Sequence, residues 1–319
     1  MNIIAADVGG TKTRFVIADT DEPDHVLYEA RYSSRDFDSF EPLLQTFIEE
    51  SGFQNSQLGA LSLALPGVVN GADARLTNLP WLISKQVLQD QFGVEQVHFM
   101  NDFQASALGI SGLKPEDLIC LNQGVHKTDA LRVAVGAGTG LGLSWVLYDE
   151  TSARAWSTEG GHMDFAPVDD TQIELLKFLI NRYGHVSYER LLSGDGLVAL
   201  YEFCSGQASS GIEASWVHSE AESNNGTARS ALSLFVRIYG AFVGNMALLF
   251  KPQGGIYITG GIGAKIISWM KSEDFLSAYF NKGRMRALAE KTSVHLVINE
   301  RVGVIGAIAE AARQAGRQQ

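Results

Sequence analysis

Asp7-Val8-Gly9-Gly10-Thr11-Lys12-Thr13-Arg14 stands between two short apolar stretches, Asn2–Ala6 and Phe15–Ala18, and the fold turns on how it is read. Branched apolar residues broken by Gly-Gly spell strand, turn, strand. The unit returns where Leu131–Val135 and Leu143–Tyr148 flank Gly136-Ala137-Gly138-Thr139-Gly140-Leu141-Gly142. Two similar domains are therefore expected, although no sequence repeat is visible. Length agrees, since 319 residues at about 150 per domain give two.

Between these hairpins strands alternate with helices. Asp36–Ser51 carries Phe40, Leu43, Leu44, Phe47 and Ile48 at helical spacing, and the strand-like Leu58–Leu65 follows. Gln96–Met100 reads as a strand ending in Asn101-Asp102, with Phe103–Ile110 continuing as a helix; in an α/β sheet that junction is where ligands bind. Further on come an amphipathic helix over Asp170–Tyr183, a turn at Ser187 that carries Glu189, and a long apolar helix over Arg229–Phe250. Gly255–Thr259 is a strand, Gly260-Gly261-Ile262-Gly263 a turn, Ala264–Met270 a helix, and Gly303–Ala315 the last helix.

Composition removes several functions. The net charge is −11 and no basic run occurs, which argues against nucleic acid as a partner. Cys120 and Cys204 alone cannot build a disulfide scaffold or a cysteine zinc site. Met1–Ala6 has no basic leader, and the apolar run Ala241–Phe250 is interrupted by Asn245 and too short to span a membrane. A cytoplasmic protein without a membrane partner is expected. The 33 glycines, by contrast, require an explanation.

A phosphate chain needs several backbone N–H groups close together, and Gly in a tight turn leaves them accessible. Gly136 to Gly142 is not a dinucleotide loop, because its spacing is not G-x-G-x-x-G and a strand, not a helix, follows it. A phosphate-binding lysine loop of the GxxxxGK[ST] type is also missing. One Gly-rich hairpin is more often a structural turn; two with Gly-Thr at the bend, and a third Gly turn opening a helix, favour phosphate. Asp7, just before the first Gly pair, is either a turn former or the carboxylate that holds a hydrated magnesium ion.

The motifs Asp7-Val8-Gly9-Gly10-Thr11, Asn101-Asp102-Phe103, Gly136–Gly142, Glu159-Gly160-Gly161-His162-Met163-Asp164-Phe165-Ala166-Pro167, His185–Gly194 and Gly260-Gly261-Ile262, in that order, resemble those of bacterial ATP-dependent glucokinases in the sugar kinase/actin-like ATPase superfamily. The resemblance runs from first strand to last helix. It implies an α/β fold of two ribonuclease-H-like domains with mixed five-stranded sheets flanking a cleft. Residues 1–110, completed by 301–319, would form the smaller domain and 111–300 the larger.

By the same resemblance, ATP phosphorylates glucose at its 6-hydroxyl with Asp102 as base. Asn101, Asp102, Glu159, His162 and Glu189 would meet the sugar, and Asp164, Phe165 and Pro167 would shape the loop. Gly9, Gly10, Thr11, Gly138, Thr139 and Gly140 would cradle phosphates, with Gly260 and Gly261 on the adenosine side. Magnesium would be held by Asp7 through water, and a homodimer is compatible. Local readings compete: Asp102 could simply cap the following helix, Glu189 could stabilise a first turn, and His162 could be packing. Lys12 departs from the Asn usual after Gly-Gly-Thr in close relatives and carries no assigned role. A kinase for another hexose or an N-acetylated aminosugar, a silent sugar- or nucleotide-binding regulator, and an actin-like filament are the rivals.

Overall fold

The computed structural model describes residues 2–19, 22, 25–67, 69–76, 78–148, 153–209 and 211–315. They divide into two units. One comprises Met1–Lys114, Ala153–Ser157 and Arg301–Gln319; the other comprises Pro115–Ser152 and Thr158–Glu300.

In the first unit β1 (Asn2–Val8) and β2 (Lys12–Asp19) form the hairpin read from the Gly-Gly turn, with Asp7 opposite Arg14 and Val8 opposite Thr13. β3 (Val26–Ser33) extends it antiparallel, while β4 (Leu58–Leu65) lies parallel to β1. A small three-stranded sheet follows, β5 (Val69–Asn70), β6 (Asp73–Arg75) and β7 (Leu82–Ser84). Then β8 (Gln96–Asn101) joins β4, giving the order β3-β2-β1-β4-β8. The helix expected from Asp36 begins at Phe40 instead, and Ser34–Asp36 is a separate 3-10 turn. Its buried face is the expected one, with Phe47 stacked on Phe15 at 4.8 Å, and it ends on Gly52 at φ +74°.

The second large sheet is built from β9 (Leu118–Asn122), β10 (Arg132–Ala137), β11 (Leu141–Tyr148), β12 (Ala153–Thr158), β13 (Ile256–Thr259) and β14 (Val294–Val297). It runs β12-β11-β10-β13-β14-β9. It is mixed, as expected, but has six strands where five were expected. The first five positions repeat the order of the other sheet, and the extra strand is β9, paired antiparallel to β14. β10 and β11 make the second Gly hairpin, with Ala137 opposite Leu141.

The apolar helix is longer than the sequence suggested. It spans Gly226–Phe250, because Asn225 accepts from the Thr227 and Ala228 N–H groups at 3.1 and 3.2 Å and so starts it earlier. By length and composition it could cross a membrane, yet 72% of its most apolar stretch is buried inside the protein. Leu232, Phe235, Tyr239, Phe242 and Val243 belong to the second unit's core.

Close helix contact fixes the junction that carries Asn101 and Asp102. The helix Asp102–Gly109 packs on the terminal helix Val302–Ala315. A Cβ on Gly109 would overlap the Val302 carbonyl, and one on Gly306 would overlap the Ala105 carbonyl. Backbone thus lies against backbone on both sides of the crossing. A methyl at Gly306 should gain about 1 kcal/mol in helix propensity yet lose more, about 1–3 kcal/mol, to overpacking. Gly306→Ala is expected to lower the urea midpoint without changing the slope; a raised midpoint would show that the helices can separate freely.

Candidate functional site

In the first unit the Gly-Gly bend is fastened from outside the hairpin. Gly9 donates its N–H to the Lys12 carbonyl at 3.0 Å, and the Ser34 hydroxyl donates to the Gly9 carbonyl at 2.8 Å. The Ser34 N–H donates to the Thr11 carbonyl at 2.9 Å, and the Ser34 and Thr13 hydroxyls are 2.9 Å apart. Ser34 is fully buried, and sequence reading gave no sign of it. Asn78 was also missed: a Cβ on Gly10 would sit 2.7 Å from its Cβ. The signal lay in Asn78-Leu79-Pro80-Trp81, a turn that buries Trp81 and is closed by Leu76 N–H donating to the Trp81 carbonyl at 3.2 Å.

Asp7 follows four buried apolar residues of β1, and burial pushes its carboxyl up to about 6. Gly303, near the start of the terminal helix, leaves it room, since a Cβ there would lie 2.9 Å from Asp7 Oδ2. Among the described residues no group of three or more His, Cys, Asp or Glu side chains could hold a metal ion. One raised carboxylate suits a cation that keeps most of its water, which is how magnesium binds beside phosphates.

At the end of β8 the structure separates two neighbours that are both good caps. Asn101 is the N-cap: its Oδ1 accepts from the Phe103 and Gln104 N–H groups at 3.0 and 3.3 Å, and its Nδ2 donates to the Gly67 carbonyl at 3.2 Å. Asp102 is the first helical residue, with Oδ1 2.9 Å from the Phe103 nitrogen. The cap competing with a chemical role for Asp102 is thus supplied next door.

In the second unit three expected residues come together. The segment after His162 pairs with the segment before Glu189: Phe165 N–H donates to the Val186 carbonyl at 3.0 Å and Tyr188 N–H to the Met163 carbonyl at 2.9 Å. Asp164 Oδ1 is 2.7 Å from His185 Nε2, and Phe165 packs edge-on against Tyr188, so both shape the loop as expected. His162 Nε2 consequently lies 3.8 Å from Glu189 Oε1 and 3.9 Å from Glu159 Oε2. Gly160 and Gly161 allow this turn to press on β11, because a Cβ on Gly161 would overlap the Leu141 carbonyl.

The other Glu189 oxygen faces the second Gly hairpin. Oε2 accepts from the Leu141 N–H at 3.0 Å, and a Cβ on Gly140 would meet it at 2.5 Å. The bend itself is compact: Gly138 donates to the Gly140 carbonyl at 2.8 Å and its own carbonyl accepts from Gly194 at 2.9 Å. A Cβ on Gly138 would meet nothing within 4 Å, so this glycine keeps the approach to the backbone open. Gly260 leaves β13 at φ +83°, where a Cβ would lie 2.6 Å from the Ala137 carbonyl oxygen, and Gly261 opens a short helix over Gly261–Lys265. That helix starts before the expected Ala264.

A cavity of about 580 Å³ in the same unit is lined by Asp169, Arg237, Glu273, Asp274, Lys282 and Arg286 among others, and by none of the residues above. Lys282 donates there to the Ala241 carbonyl and to Asn245 Oδ1, both at 2.9 Å, and burial lowers it to about 8.

The family model for glucokinase matches residues 4–314. A glucokinase of Trichormus variabilis is 35% identical, over 98% of this chain and 99% of its own. The crystal structure of a glucokinase from an Antarctic psychrotroph superimposes with a TM-score of 0.85 at 26% identity, covering 98% of this chain and 99% of that one. A ROK family glucokinase from Streptomyces griseus, solved with glucose and AMPPNP, gives 0.64 at 20% identity over 98% and 100%, a likeness of fold. Sheet order, hairpins and matched length agree: two α/β units of the actin-like ATPase class, and a chain that belongs to the glucokinase family.

Proposed function

We propose that this enzyme transfers the γ-phosphoryl group of ATP to the 6-hydroxyl of glucose, with Asp102 accepting the hydroxyl proton. The observation that carries the reading is Glu189, whose two oxygens face the Glu159–His162 pair and the Gly138–Gly140 loop respectively. One side chain thereby serves a cluster suited to sugar hydroxyls and a bend suited to phosphate. The curated relative from Trichormus variabilis is a glucokinase, and the Streptomyces griseus structure holds glucose and AMPPNP.

Phosphoryl transfer asks mainly for positioning and charge neutralisation. Gly9, Gly10 and Thr11 present one bend to phosphate, and Gly138, Thr139 and Gly140 the other. Gly260 and Gly261 take the adenosine side. Magnesium, when bound, offsets negative charge on the phosphates; Asp7 is the residue that would hold it through water. Asp102 sits in a first helical turn, where peptide N–H groups favour a carboxylate, and bonds from Asn101 hold that turn rigid. Asn101 thus orients the base, and it reaches the sugar only with the amide capacity left after capping. Glu159, His162 and Glu189 pair with the remaining hydroxyls.

The test is the product. With ATP and glucose, phosphorus–proton correlation NMR should place the new ester on carbon 6. Glucose should exceed N-acetylglucosamine in kcat/KM by on the order of 10⁴, since polar groups built to pair with a hydroxyl reject an analogue lacking it. Comparable efficiency for both would favour an aminosugar kinase, and an ATP-independent or absent reaction would favour a regulator.

Asp7 supplies a second expectation, with a definite sign. Its carboxyl titrates near 6 in the folded protein against 3.8 ordinarily, so between those values the folded state holds the extra proton. Stability contributed by that proton is present below the lower value and is lost as pH rises through 6. Asp7→Asn should therefore melt higher than the parent at pH 8, match it near pH 4, and lose the magnesium dependence of ATP use together with most activity. A variant that melts lower at pH 8 would mean the carboxylate stabilises the fold.

A further inference from the structure

Tyr239 is a fully buried phenol in the middle of the apolar helix Gly226–Phe250. Its ring packs edge-on against Phe235 and Phe275, with centroids 6.0 and 6.3 Å away, where a Phe ring would serve equally. The hydroxyl is the feature that needs a reason, because burying one without a partner is costly. Its partner is the Ala137 N–H, which donates to Tyr239 Oη at 3.1 Å.

Ala137 is the last residue of β10 and the one before Gly138. The parallel ladder with β13 pairs residues as far as Gly136 opposite Thr259, because the chain turns away at Gly260. The register places the Ala137 N–H at the last rung of that ladder, facing the Thr259 carbonyl, and Tyr239 Oη reaches the same N–H there. Across the bend, the Leu141 N–H goes to Glu189. The two residues that flank Gly138–Gly140 are each held by a side chain from elsewhere in the unit, one phenol and one carboxylate.

We infer that Tyr239 is a positioning residue for the nucleotide: its hydroxyl holds the Ala137 N–H and so fixes where the Gly138–Gly140 bend leaves the sheet. This rests on the reading of that bend as a phosphate cradle. Burial pushes the phenol well above its ordinary range, so it stays neutral and the bond is insensitive to physiological pH. Because Tyr239 never meets a ligand, its effect should fall on one substrate only. The hexose cluster of Glu159, His162 and Glu189 is built from other bonds.

Tyr239→Phe removes one oxygen and leaves the ring. It is expected to raise KM for ATP about fivefold, the effect of losing one neutral hydrogen bond at the base of the bend, while KM for glucose stays within about twofold. Titration with AMPPNP should show the same loss. Hydrogen exchange at the Ala137 amide, slow in the parent, should quicken in the variant while the Val133 and Val135 amides keep their protection.

An unchanged KM for ATP, or equal rises for both substrates, overturns the inference. So does a rapidly exchanging Ala137 amide in the parent protein, a result that needs no variant. Gly138→Val separates this from the broader reading, since the added side chain meets open space and should block phosphate without unfolding the protein. If Gly138→Val loses ATP and Tyr239→Phe does not, the cradle stands and Tyr239 is only core. If neither alters AMPPNP affinity, the cradle itself has been misassigned.

Discussion

Backbone N–H groups that must stay available to a ligand cannot also hold the fold together. In the proposed reaction both Gly hairpins live under that constraint, and each is secured by groups outside its own ladder. Ser34 holds the first bend through the Gly9 and Thr11 carbonyls. Gly194, Tyr239 and Glu189 hold the second through the Gly138 carbonyl and the Ala137 and Leu141 N–H groups. Carbonyls and flanking residues carry the bonds to the rest of the fold, while inside the bends the Gly9 and Gly138 N–H groups close the turns. A bend exposed at its tip and rigid at its base is what electrostatic preorganisation toward phosphate requires.

The same economy of space governs the first unit. The terminal helix approaches Asp102's helix so closely that only glycine fits at Gly109 and Gly306, and Gly303 leaves room for the Asp7 carboxylate. One helix, distant in sequence, therefore helps to set two acidic groups. Interlocked backbones have little freedom to relax, which suits a base that must hold its position against a hydroxyl.

Much of this was legible because it is local. Gly-Gly between apolar runs marks a hairpin, and Phe40, Leu43, Leu44, Phe47 and Ile48 mark one face of a helix. What was not legible depends on contacts between distant segments. Nothing near Leu118–Asn122 says that β9 adds a sixth strand beside β14. Asn101 and Asp102 are both good caps, and only the folded turn assigns the cap to Asn101. Tyr239 looks like one more aromatic on an apolar helix until its hydroxyl meets Ala137, 102 residues away. The expected trio of Glu159, His162 and Glu189 is brought together by loop pairing that sequence spacing alone cannot show.

In the proposed reaction Asp102 meets the glucose 6-hydroxyl and takes its proton. Asp102→Asn keeps shape and replaces base with amide, so glucose binding and phosphoryl transfer should separate. Calorimetric titration of the variant with glucose, paired with its single-turnover rate, measures both. Glucose affinity within a few-fold of the parent and a rate lowered by about 10²–10⁴ is the predicted result. Retained turnover, or an equal loss of binding and rate, would contradict the assignment of Asp102 as the base.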